Sequence, residues 1–200
     1  ALAGVLPHRG PGGVPVARAG RNFAEMLAQP LAGLVLMNVE PEHDCAESQL
    51  AVNALQAAGF VLALSPYLSP ALEAHADVVL PVGTFVETAG TFVNCEGRWQ
   101  SFNGVAAPVG ASRPAWKVLR VLGNLLKIPD FDYASAEEIR VVVQTLAAAV
   151  QPDNTVAVTA IPPAITAPGI ALRDLDVPMY QTDGILRRAV ALQQTQVARG

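Results

Sequence analysis

The sequence predicts an α/β fold: a βαβαβ parallel-sheet unit with an appended antiparallel hairpin and C-terminal helices. Three observations carry that prediction. Short apolar runs at 33–39, 60–64 and 78–80 alternate with helical patterns, as in a sheet whose parallel strands are joined by crossover helices. Each run ends at a proline corner, Glu40-Pro41, Ser65-Pro66 and Pro81. After Thr84 the pattern changes to alternation in Thr91-Phe92-Val93-Asn94 and Arg98-Trp99-Gln100-Ser101-Phe102, which suits an antiparallel ribbon.

Taken in order, the first twenty residues are rich in Gly and Pro and punctuate more than they build. Gly10, Gly12 and Gly13 match neither the spacing of a dinucleotide loop nor that of a P-loop. Arg21 to Gln29 reads as a short helix with Phe23, Met26 and Leu27 on one face, stopped by Pro30. Gly33-Leu34-Val35-Leu36-Met37-Asn38-Val39 is a continuous apolar run, expected to be a strand buried on both faces. Ala46 to Ala58 carries Leu50, Asn53, Ala54 and Ala57 at helical spacing and closes at Gly59. Phe60 to Leu64 is the second strand. Ser69-Pro70 opens a helix with Ser as N-cap and Pro in the first turn, and Val78-Val79-Leu80 is the third strand. In such sheets ligands sit beyond the carboxyl ends of the strands, here 38–41, 65–67 and 80–81.

Glu96-Gly97 separates the two alternating stretches, and Asn103-Gly104 after them is a second strong turn signal. Arg113-Pro114 begins a helix from Ala115 to Leu126, with Trp116, Leu119, Leu122 and Leu126 on one stripe. Ser135 with Glu138 forms a capping box before another helix reaching about residue 150. The expected organisation is an α/β domain over 1–150, a Pro-rich linker or arm over 151–170, and a tail with a short helix over 171–200, around Ile185, Ala189 and Leu192.

Composition excludes several classes. The chain has 200 residues, 52% hydrophobic and 15% charged, with a formal net charge of −4. With no basic stripe, a nucleic-acid partner is not expected. No window approaches the ~18 consecutive apolar residues of a membrane helix, so a soluble chain without direct membrane insertion is expected. It begins Ala1-Leu2-Ala3 without Met or a signal-peptide pattern, and so reads as a piece of a longer protein. Cys45 and Cys95 form no CxxC pair and are expected to be small buried hydrophobes in a reducing compartment, not metal ligands. His8, His43 and His75 show no ligand spacing, and His43-Asp44-Cys45 is expected to be a loop exit after a strand. Glu87 and Glu96 could be offered as a carboxylate pair, but no nucleophile, His or metal ligand accompanies them. Asn94 and Arg98 are expected to satisfy Glu96 and the turn backbone as a buried polar set.

Ala76-Asp77-Val78-Val79-Leu80-Pro81, then Glu87, Gly90-Thr91-Phe92-Val93-Asn94, Glu96-Gly97-Arg98 and Gln100, resembles the signature of the molybdopterin oxidoreductase superfamily. That superfamily includes formate dehydrogenases and the large iron–sulfur subunit of NADH-quinone oxidoreductase, respiratory complex I. Three further stretches are similar to the complex I subunit. They are Leu36 to Glu42 with Asp44-Cys45-Ala46, Ser101 to Gly104 with Arg113 to Leu119, and Pro178-Met179-Tyr180 with Thr182-Asp183 and Arg187-Arg188-Ala189.

The resemblance implies a molybdopterin-oxidoreductase-like fold. It implies a non-catalytic structural domain with no catalytic residue, no metal site and no cofactor of its own. The parent subunit would hold 4Fe-4S and 2Fe-2S clusters in its N-terminal part, and the parent complex FMN, passing electrons from NADH to quinone. Partners would be that N-terminal part and other peripheral-arm subunits, on the cytoplasmic side of a bacterial inner membrane. The alternative it implies is a cofactor-binding domain of a formate-dehydrogenase-like enzyme. A persisting pterin site would then draw on Glu87, Thr91, Asn94, Glu96 and Arg98.

Overall fold

The computed structural model describes residues 14–148, 150 and 179–199, so the glycines at 10–13 and the Pro-rich arm over 151–170 lie outside the described residues. The chain divides between Gln151 and Pro152 into two compact units.

In the first unit, three parallel strands, β1 (Leu34–Met37), β2 (Val61–Ser65) and β3 (Val78–Pro81), lie in the order β1-β2-β3. Leu34 pairs with Val61, and Leu62 with Val78. Ahead of the sheet, α1 (Phe23–Leu27) starts at Asn22, whose side chain and that of Glu25 each accept the other's backbone N–H. The β1–β2 crossover contains α2 (Pro41–Asp44) and α3 (Ser48–Ala57), and the β2–β3 crossover contains α4 (Pro70–His75). Pro70 stands in the first turn of α4 behind its N-cap Ser69, as the sequence requires.

Helices cover the two faces of the sheet unequally. On one face Leu55 of α3 and Leu72 of α4 pack with Val61 and Ala63, joined by Leu34, Leu36 and Val79. On the other, Leu62, Leu64 and Val82 pack under Ala115, Val118, Leu119 and Leu122 of α5 (Ala115–Leu125). Each fully buried leucine, Leu64 and Leu72, contributes roughly 1.5–3 kcal/mol of burial. All five residues of β2 are buried, as a central parallel strand should be.

The expectation that β1 is buried on both faces fails. Val35 and Met37 are 65% and 51% exposed, and they pair with Leu62 and Leu64 on the face that α5 covers. That layer therefore stops at β2 and leaves β1 bare on one side. The buried face of α3 is Ala51, Ala54 and Leu55, rotated from the expected set, with Leu50 half exposed and Asn53 exposed. His43 and Asp44 belong to a helical turn, not a loop, because the N–H of Glu40 finds the Asp44 carboxylate at 2.7 Å.

After β3 the chain runs through a 3₁₀ turn at Phe85–Glu87 into the hairpin of β4 (Gly90–Val93) and β5 (Trp99–Phe102). The turn lies at 94–98. Asn103-Gly104 makes no second hairpin. Gly104 instead passes so close to 87–88 that a Cβ would stand 3.1 Å from the Glu87 carbonyl carbon and the Thr88 nitrogen. The segment before α5 returns to the sheet, where Arg113 bridges Val82 in parallel and extends the edge beyond β3. Leu126, expected on the apolar stripe of α5, is the exposed C-cap. The final helix of the unit, α6 (Ala136–Ala147), is capped by Ser135, which accepts the Glu138 N–H. The Glu138 carboxylate reaches Ala134 and not Ser135, so half of the expected capping box forms.

The described part of the second unit is a 3₁₀ turn at Met179–Gln181 followed by α7 (Gly184–Arg187), α8 (Val190–Gln193) and α9 (Gln196–Arg199). Asp183 caps α7 by accepting the N–H groups of Ile185 and Leu186. Gln193 binds this unit together, donating to the carbonyls of Tyr180 and Leu186.

Candidate functional site

Glu87, Thr91, Asn94, Glu96 and Arg98 are spread along the hairpin. Glu87 stands before β4, Thr91 lies within it, and the other three form the turn. Thr91 to Asn94 alone is three strand steps, roughly 10 Å. The five therefore do not converge on one point.

Four of them are engaged locally through their side chains, and Arg98 through its backbone. The Glu87 carboxylate accepts the N–H and hydroxyl of Thr84 at 2.7 and 2.9 Å with Oε2, and the N–H of Val109 at 3.0 Å with Oε1. These donors, those of Thr84 first, hold its pKa below the usual carboxylate value. Its role is to pin the 105–110 segment against the start of the hairpin. Backbone bonds from Val105 and Ala106 to the Val86 carbonyl support the same contact. Thr91 Oγ1 meets Ser101 Oγ at 3.0 Å, a cross-strand hydroxyl pair of the kind that fixes register.

Asn94 organises the turn. Its Oδ1 accepts the N–H groups of Glu96 and Arg98 at 3.1 and 2.9 Å. Its Nδ2 donates to Glu96 at 3.4 Å, and Gly97 takes φ +77. Asn94 thus satisfies the turn backbone as expected, but Asn94, Glu96 and Arg98 are exposed, so no buried polar set exists here. The cause is composition: a five-residue turn with three polar side chains has no apolar layer beneath it. Cys95, expected to pack inward, is exposed at the same tip, whereas Cys45 is half buried. Burial, aided by the neighbouring Asp44 charge, raises the Cys45 thiol pKa.

At the carboxyl ends of the strands the sequence marked no individual side chain, yet the structure places an ordered acid there. Glu42 Oε1 accepts the N–H of Ala71 at 2.9 Å in the first turn of α4. Burial alone would raise its pKa, but the Ala71 N–H and further hydrogen bonds outweigh it and the carboxyl titrates low. Ser65 is buried and closes its own turn through the Tyr67 backbone. The signal in the sequence was Glu42 lying 29 residues before Ala71 in the first turn of a Ser-Pro helix start, a separation that local patterns do not connect.

A cleft of about 210 Å³ opens between the hairpin and α6, lined by Gly90, Thr91, Trp99, Trp116, Ile139 and Arg140 among others. Thr91 is the one member of the five that reaches it. Small-molecule pockets typically span ~300–1,000 Å³, so this cleft is small for a dinucleotide. Among the described residues no group of three or more His, Cys, Asp or Glu is placed to hold a metal ion.

A three-stranded parallel sheet with helices on both faces and a hairpin beyond its last strand defines a mixed α/β domain. The molybdopterin oxidoreductase family profile matches residues 16–125, more than half of the chain and all of this sheet and hairpin. The chain belongs to the molybdopterin oxidoreductase family. Its relatives include an NADH-quinone oxidoreductase subunit of Mycobacterium bovis, 37% identical over 123 residues, which is 50% of this chain and 15% of that protein. The mitochondrial NADH-ubiquinone oxidoreductase 78 kDa subunit of Candida albicans is 42% identical over 62 residues, 30% of this chain and 9% of that one. A putative formate dehydrogenase of Staphylococcus aureus is 40% identical over 65 residues, 32% of this chain and 6% of its own length. The matched stretch is thus a small part of each relative.

Proposed function

We propose that the chain is a structural domain within the large iron–sulfur subunit of an NADH-quinone oxidoreductase. The observation that carries this reading is the 37% match to the mycobacterial NADH-quinone oxidoreductase protein over 123 residues, about twice the span matched to the formate dehydrogenase. The hairpin geometry supports it, because Glu87 and Asn94 spend their acceptors on backbone N–H groups. In this reading the domain braces a cluster-bearing part of the same subunit and docks neighbouring subunits of a peripheral arm, on the cytoplasmic side of a bacterial membrane. The assembly carries electrons from NADH through FMN and 4Fe-4S and 2Fe-2S clusters to quinone, while this domain holds no redox centre and has no activity alone. Among the described residues no helix is long and apolar enough to cross a membrane, which suits attachment through protein partners.

A second reading is favoured by the 40% identity to a putative formate dehydrogenase. There the hairpin would be one wall of a pterin site completed by other parts of a longer polypeptide. Metal analysis of the full-length protein, captured from its source, separates the two. Iron without molybdenum or tungsten, in a large assembly oxidising NADH, is the expected result. Stoichiometric molybdenum or tungsten with a pterin would replace the first reading with the second.

A further inference from the structure

The cleft between the hairpin and α6 has three features that packing alone does not explain. It gathers Trp99 and Trp116, the two tryptophans of the chain, on one small opening. Beside them is Arg140, whose Nη1 donates to Ser101 Oγ at 2.7 Å, and Ser101 in turn meets Thr91. Its Nε is buried without a hydrogen-bond partner, and no carboxylate among the described residues pairs with the guanidinium. The acids nearest in sequence on α6 are Glu137 and Glu138, and Glu138 is committed to the Ala134 N–H.

A half-buried guanidinium with no counterion among the described residues, set among aromatic and aliphatic walls, is complementary to a flat anion. A charged donor in partial shelter from water gains more from an anion than an exposed one does. The volume limits the size. An apolar cavity of ~150 Å³ admits one benzene, so about 210 Å³ matches one ring and a carboxylate.

We propose that this cleft is a binding site for a small single-ring aromatic carboxylate, with the ring against Trp99 and Trp116 and the carboxylate on Arg140. Thr91 and Ser101 hold the guanidinium in place, which gives the cross-strand hydroxyl pair a role beyond register. The site is independent of the domain's part in an electron-transfer assembly.

The experiment titrates the 200-residue chain with sodium benzoate, with benzamide as the neutral isostere and with sodium acetate as the ringless anion. Tryptophan fluorescence and the two indole N–H signals in nuclear magnetic resonance report on the cleft alone, because no other tryptophan exists. Benzoate should shift both indoles saturably and bind about ten-fold more tightly than benzamide or acetate, the difference one charge-assisted contact supplies. Arg140→Gln should erase that ten-fold preference and keep the benzamide response, while Val143→Phe, which fills the cleft, should abolish both. A response to benzoate that does not saturate, or equal binding of benzoate and benzamide, overturns the proposal. Because the comparison of ligands is made on the unaltered protein, failure of either variant to fold leaves the test intact.

Discussion

Asp77 and Val61 bind each other twice. The Val61 N–H donates to Asp77 Oδ2 at 2.7 Å, and the Asp77 N–H donates to the Val61 carbonyl at 2.9 Å. Val61 is the first residue of β2 and is 1% exposed, so its N–H has no access to water. Asp77 stands just before β3 and thereby aligns the starts of two parallel strands. The Asp in the Ala76-Asp77-Val78-Val79-Leu80-Pro81 motif thus holds the starts of β2 and β3 together.

Asp77→Ala leaves that buried N–H unpaired, which costs about 1–3 kcal/mol. Asp77→Asn keeps an acceptor oxygen and should recover most of the loss. Urea unfolding of the two variants checks this: a midpoint fall in Ala that Asn does not share is expected. Equal losses in both would mean that the charge, not the hydrogen bond, is what β2 needs.

Gly123 faces the ring of Phe131. A Cβ at this position would fall within 2.7 Å of three atoms of that ring, among them Cγ, so the ring cannot simply swing its far end aside. Phe131 is also held edge-on against Tyr133, with centroids 5.8 Å apart. In an open helix Gly→Ala gains up to ~1 kcal/mol of propensity. Here overpacking costs about 1–3 kcal/mol and wins. Gly123→Ala should therefore lower Tm in a thermal melt, whereas Gly123→Ala combined with Phe131→Ala should melt higher than Gly123→Ala does.

Glu42 and Glu87 both titrate below their ordinary value of 4.5. A carboxylate depressed in the folded state contributes stability that is fully present above the unfolded pKa. That contribution is lost as pH falls through the folded pKa. Melting temperature should hold from about pH 7 to pH 5 and decline below about pH 4.5. Glu87→Gln should flatten part of that decline and speed amide hydrogen exchange at Val109 and Thr84, its two backbone partners. Glu42→Gln should act instead at the Ala71 amide. A Val109 amide unaffected in Glu87→Gln would show that the 105–110 segment is held by the Val86 carbonyl alone.

Much of the parallel unit was legible because its signals are local. Five apolar residues at 60–64 announce a central strand, Ser69-Pro70 announces a helix start, and the change from runs to alternation announces the hairpin. What was not legible depends on which layer reaches which strand. Val35 and Met37 look as apolar as Leu62 and Leu64, yet α5 packs on the latter pair and leaves the former exposed. At the hairpin the residue types were right and their setting was wrong. Asn94 does bind the turn backbone, but none of the described residues covers the tip to bury Glu96, Arg98 or Cys95. The cleft at Arg140 could not be read at all, since its walls come from 89–91, 99, 116 and 136–143. Sequence periodicity does not connect those stretches.

Gly97 and Arg98 are neighbours in the hairpin turn and should fail in different ways. Gly97 holds φ +77, a left-handed conformation in which an L side chain costs about 1–2 kcal/mol, and more if β-branched. Gly97→Val should therefore lower the stability of the chain by at least that amount in chemical denaturation, and lower the yield of any assembly built on it. Arg98 is exposed, its side chain bonds to none of the described residues, and the turn uses only its backbone. Arg98→Ala should stay within ~0.5 kcal/mol of the parent in stability. If the Arg98→Ala protein is fully stable yet fails to enter the oxidoreductase assembly, the guanidinium acts at a subunit interface. Normal assembly of Arg98→Ala beside poor assembly of Gly97→Val would assign the motif to the fold alone. Altered cluster signals in an intact assembly of either variant would count against the structural role proposed for this domain.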